Sequence, residues 1–92
     1  MFTKRANGRS ITFVGSHSPG REFKNSIEDG DSVVLHIGHE SVLVNNISLL
    51  PNNGITGIVY GFEPSVALEF NGIKIGDIVN FKEEHVISCS SH

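Results

Sequence analysis

Almost every apolar segment of this chain is short, rich in β-branched residues, and closed off by glycine, proline or asparagine. That pattern rules out long amphipathic helices and predicts short strands joined by tight turns. Residues 10–14 read as a first strand and residues 31–37 as a second, with Val33, Leu35 and Ile37 alternating onto one face. Gly38-His39 suits a two-residue type II′ hairpin turn into a third strand over 40–47. Pro51-Asn52-Asn53-Gly54 is a dense turn signal, and a fourth strand over 55–62 follows it. Gly57 and Gly61 lie inside that strand, read as one face with Val59 between them. Glycines there imply a bend, a bulge or the close approach of another backbone.

Between residues 66 and 75, alternating apolar positions flank Asn71-Gly72, which predicts a hairpin in preference to one helical turn begun by Pro64. The last strand opens at Asp77 and extends towards Cys89, with a break near Glu83-Glu84. Residues 16–30 are the least strand-like. Ser18-Pro19 can start one short helix with Phe23 and Ile27 on its inner side, and a loop is the equal alternative.

One phrase occurs twice, 46 residues apart: Ile27-Glu28-Asp29-Gly30-Asp31-Ser32-Val33-Val34-Leu35 and Ile73-Lys74-Ile75-Gly76-Asp77-Ile78-Val79-Asn80-Phe81. Both predict a tight turn in which glycine takes φ > 0 and aspartate bonds nearby backbone N–H groups, launching a strand. The phrase resembles strand entries in many small barrels, SH3-like and OB-like domains among them. It implies architecture and carries no function. The expected fold is a single small all-β domain over residues 1–92. It is an antiparallel meander of five to six short strands forming a barrel or rolled sheet, SH3-like or OB-like in size. If the sheet stays open, its exposed edge favours a homodimer.

The 92 residues suit one domain. The one cysteine, Cys89, cannot form an internal disulfide, which favours a reducing, cytoplasmic setting. Basic residues near the N-terminus have no continuous apolar segment behind them, so neither a leader nor a membrane anchor is expected. Net charge is −3, but residues 1–25 carry +4 and residues 26–92 carry −7.

His17, His36, His39, His85, Cys89 and His92 raise the question of a metal. His85, Cys89 and His92 have a helical zinc-binding spacing, yet on a strand positions 85 and 89 stand roughly 13 Å apart, too far for one tetrahedral site. The same separation keeps His85 from activating Cys89 as a nucleophile. Glu83-Glu84 point to opposite faces of a strand and form no carboxylate dyad. No metal, no cofactor and no enzyme activity are therefore expected.

What remains is binding. The acidic clusters Glu28, Asp29, Asp31 and Glu83, Glu84 are candidates for docking a protein partner. Size and the missing catalytic set suit a small phage- or mobile-element-type inhibitor that blocks a larger nucleic-acid-handling complex. The alternative is a nucleic-acid-binding barrel with a basic N-terminal arm, using Lys4, Arg5 and Arg9.

Overall fold

A computed structural model describes residues 2–5, 10–14, 26–63 and 68–90. Their strands are β1 (Thr12–Val14), β2 (Ser32–Ile37), β3 (Glu40–Leu49), β4 (Gly54–Glu63), β5 (Glu69–Phe70), β6 (Ile73–Lys74), β7 (Ile78–Lys82) and β8 (Val86–Ser90). A single 3-10 turn, η1 (Glu83–His85), separates β7 from β8. The fold is all-β. Six strands form a mixed sheet in the order β1-β8-β2-β3-β4-β7, and β5-β6 form a second, two-stranded sheet.

The local turn chemistry explains the hairpins. Gly38 takes φ +61 between the paired residues Ile37 and Glu40, joining β2 to β3. Asn71 and Gly72 take φ +54 and +83, the two positive values of a type I′ turn, and set Phe70 opposite Ile73. The expected hairpin therefore forms, with strands of two residues each. At the β3–β4 turn Asn53 has φ +68, and the Gly54 N–H donates to Asn52 Oδ1 at 3.1 Å.

The repeated phrase builds the same device twice. Gly30 and Gly76 have φ +88 and +95, the third-position signature of a type II turn. Asp31 Oδ2 accepts the Glu28 N–H at 2.8 Å, and Asp77 Oδ2 accepts the Lys74 N–H at 2.9 Å. The Gly30 N–H then donates to the Ile47 carbonyl and the Gly76 N–H to that of Val59, while Ile47 and Val59 donate back to the carbonyls of Asp31 and Asp77. Each turn is thus a glycine bulge clamped onto a fully buried residue of β3 or β4.

Three expectations need correction. The sheet is not wholly antiparallel, because β1 runs parallel to β8, with Thr12 opposite Ser88. These strands lie at opposite ends of the sequence, so no tight hairpin dictates their direction. Nor do Gly57 and Gly61 share a face. A register shift sets Val44 opposite Val59 but Leu43 opposite Gly61, so Tyr60 is the extra residue and the strand changes parity there. The last strand divides into β7 and β8 at the foreseen break, but the intervening turn is helical in sense. The start of the short helix expected at Ser18-Pro19 lies outside the described residues, as does Pro64, while residues 68–72 of the rival helical turn belong instead to the β5-β6 hairpin. Among the described residues pairing ends at β1 and β7, and no closing pair joins them.

The core lies on the inner face. Val33 and Leu35 of β2, Val42, Val44 and Ile47 of β3, Ile55, Val59 and Phe62 of β4, Val79 and Phe81 of β7, and Val86 and Cys89 of β8 are buried together with Ile73. Gly57 is required within it, since a Cβ there would stand 2.3 Å from Val44 Cγ1.

Candidate functional site

The two acidic clusters have different environments. In the first, Asp29 Oδ1 accepts the Leu49 N–H at 2.7 Å, tying the turn to the end of β3. Asp31 is buried, holds the Glu28 N–H, and accepts the Cys89 S–H at 3.4 Å. Both aspartates therefore serve the fold; Glu28 and Asp29 are exposed, and Asp29 is tied to the end of β3 by its bond to Leu49.

In the second cluster, Glu83 and Glu84 sit on η1, and there the structure brings the acidic and basic candidates together. Lys4 Nζ lies 3.3 Å from Glu84 Oε2. Arg5 Nη1 donates to the carbonyls of Glu83 and Val86, and the Arg5 N–H donates to the Glu84 carbonyl at 2.9 Å. Residues 2–5 thus lie along the molecule as a strap: the Thr3 N–H donates to the His36 carbonyl, and Phe2 packs its ring against Phe81 and His85. Arg9 lies outside the described residues.

The described histidines and the cysteine are dispersed. Cys89 is buried on β8, His85 belongs to η1, and His36 and His39 stand on β2 and its hairpin turn. Nδ1 of His85 accepts the Lys82 N–H at 3.0 Å. Burial lowers its pKa below 6.5; Lys4 and Lys82 push the same way, and Glu84 opposes them. Among the described residues no three His, Cys, Asp or Glu side chains come together as a metal site. His17 and His92 lie outside the described residues. An open cleft of about 660 Å³ is lined by Arg5, Ile11, Phe13, Ile27, Leu49 and Ile55, among others.

The feature that sequence reasoning passed over is apolar. Ile58 and Tyr60 of β4, Ile78 of β7, and Leu68 and Ile75 flanking β5-β6 are all exposed. Ile58 and Ile78 are direct cross-strand partners. The Ile75 N–H donates to the Leu68 carbonyl, and the neighbouring Gly76 is bonded to Val59. These residues therefore occupy one region at the β7 end of the sheet. The parity of β4 held the signal, because Ile55, Gly57 and Val59 face inward and Ile58 must then face outward. Isolated exposed apolar residues are ordinary; the Ile58–Ile78 pair, with Tyr60, Leu68 and Ile75 on neighbouring segments, is a local concentration of them.

Comparison of the chain and its fold with protein-family models, curated proteins and solved structures finds no match. The surface itself is therefore the ground for a functional reading.

Proposed function

We propose that this chain is a non-enzymatic protein-binding domain that docks through the outward apolar residues of β4, β7 and the β5-β6 hairpin. The observation carrying the reading is the exposure of Ile78 at 71% and Leu68 at 77% beside Ile58, Tyr60 and Ile75. A surface of this kind loses free energy to water that a complementary partner returns. The acidic clusters then act as rim: Glu28 and Glu83 steer a basic partner, and Glu84 does so net of its pairing with Lys4. A domain of this type acts by occupying a partner's surface, as a small phage- or mobile-element-type inhibitor of a larger nucleic-acid-handling complex does.

The same reading includes an SH3-like roll of the sheet. Strands β7 and β8 are separated in the pairing order by β4, β3 and β2, yet three residues of η1 join them. In a flat sheet four strand spacings would set them about 19 Å apart. Three residues of 3-10 turn advance about 6 Å. A rolled sheet removes the mismatch and places the core inside the roll and the Ile58–Ile78 pair on its outer side.

The test is capture from a native lysate with wild type, Ile78→Asp, and a charge-reversed variant of Glu28, Glu83 and Glu84. Loss of the captured protein in the Ile78 variant alone is the expected result. Loss in the charge-reversed variant alone would transfer the role to the acidic clusters. Nucleic-acid binding through Lys4, Arg5 and Arg9 has less support, because Lys4 and Arg5 are engaged by η1. A fluorescence titration with single-stranded and duplex DNA at low salt checks it, with no binding expected.

A further inference from the structure

We infer that the free edge of β7 pairs with the β7 edge of a second copy of this chain, joining two sheets into one and doubling the apolar surface proposed above. The Val59 N–H donates to the Asp77 carbonyl at 3.0 Å, which fixes the hydrogen-bonding phase of the β4–β7 ladder. In an antiparallel ladder that phase alternates, so Val79 and Phe81 bond to their partners on β4, Gly57 and Ile55. The N–H and C=O groups of Ile78 and Asn80 then point away from β4, towards the side on which no described strand pairs. The next outward N–H, of Lys82, is held by His85 Nδ1. The pairing-competent run, residues 78–81, is therefore short and uncharged, bounded by the Gly76-Asp77 bulge with its exposed carboxylate on one side and by Lys82 on the other.

A second copy is the occupant this edge fits, because an antiparallel pair of identical strands has two-fold symmetry. With Ile78 on the axis, the Ile78 of each copy exchanges both backbone bonds with the other. On the outer face the row becomes Ile58, Ile78, then the second copy's Ile78 and Ile58, with no charge in it. Asn80 falls opposite the second copy's Gly76, and the like charges of this register, Lys82 and the second copy's Lys74, fall four residues from the axis, beyond the paired run. Edge strands left open in soluble proteins are usually blunted by charge, proline or shortness. Here Lys82 limits the run without occupying its centre. The paired edge is small, so association belongs at the weak end of specific interfaces, in the micromolar range. The pairing lies in the plane of the sheet and leaves the outer apolar faces side by side. In that respect the inference rests on the docking role of those faces, while the edge itself stands on its backbone geometry.

The test is sedimentation equilibrium of the full chain from 5 to 500 μM, with amide hydrogen exchange read at both ends of the range. The expected result is a monomer–dimer equilibrium, with the amides of Ile78 and Asn80 exchanging at least tenfold more slowly at the high concentration. Asn80→Pro removes an outward donor without touching the β4 ladder, and is expected to remain monomeric and folded. A wild type that stays monomeric throughout overturns the inference. So does a dimer whose Ile78 and Asn80 amides exchange as fast as in the monomer. Neither result touches the docking role, which fails only if Ile78→Asp leaves partner capture intact.

Discussion

At Gly57 and Asp31 single atoms decide the fit of the core. Sequence reading anticipates that a glycine within β4 allows another backbone to come close, but only the register shows that the neighbours are Val44 and Ile47. A methyl at Gly57 meets Val44 Cγ1 at 2.3 Å, so Gly57→Ala is expected to cost about 1–3 kcal/mol in urea unfolding. At Gly61 the nearest atom is the end of the Leu43 side chain at 3.3 Å, which can yield, so Gly61→Ala costs less. The two aspartates of the repeated phrase make a second comparison. Asp31 is buried and serves Glu28 and Cys89, whereas Asp77 is exposed while making the same turn bond. Asp31→Ala strands buried donors and should lose about 1–3 kcal/mol, against about 1 kcal/mol for Asp77→Ala in the same assay. Their turn chemistry was legible in the sequence. Their difference in burial was not, because it depends on β8 arriving beside β2.

At the scale of elements, η1 and the strap that holds it have the most to test. Arg5 bonds two carbonyls of the η1–β8 junction, while the ion pair of Lys4 with Glu84 is exposed. Arg5→Ala is expected to destabilise by about 1.5–3 kcal/mol, since hydrogen bonds from a charged group are the stronger kind. Lys4→Ala should cost less than about 1 kcal/mol, and 0.5 M salt should erase that difference. Urea titrations of both variants at two salt concentrations separate the effects. His85 adds a pH dependence. Its Nδ1 accepts the Lys82 N–H only when unprotonated, and its pKa in the fold lies below 6.5. As pH falls through 6.5 the unfolded chain takes up the proton first, so stability declines from there until the lower native pKa is passed. Above 6.5 the contribution is fully present. Replacing His85 with Asn should flatten that part of the stability profile, and the NMR titration of the ring should give a midpoint below 6.5. The sequence indicated a break at Glu83-Glu84. It could not show a 3-10 turn held by residues 2–5, because those residues lie some eighty positions away in the chain.

For the molecule as a whole, the proposed docking role divides folding and recognition between the two faces of the sheet. Ile78 contributes little to the core, being 71% exposed. Ile78→Asp should therefore leave the urea midpoint within the error of ordinary surface changes, about 0.5 kcal/mol. The same change should abolish partner capture, so a loss of function with unchanged stability is the signature to look for. The acidic and basic ends, which in the sequence read as two rival binding sites, meet at η1 and partly cancel there. The exposed apolar face proposed for docking was half legible. Parity places Ile58 outward once β4 is known to face the core with Ile55 and Val59, but only the β4–β7 register brings Ile78 beside it.

Local chemistry acts over a few residues, and the sequence by itself determined what such short reach can settle: the strand segments, the hairpin at Asn71-Gly72, the two Gly-Asp turns and the all-β class. Tertiary structure alone decided which strands became neighbours, that β1 runs parallel to β8, and that the bulge at Tyr60 turns Gly61 to the outer face. Those outcomes depend on hydrogen-bond register between segments far apart in the chain. A shift of one residue there exchanges the buried and exposed faces without changing any local preference.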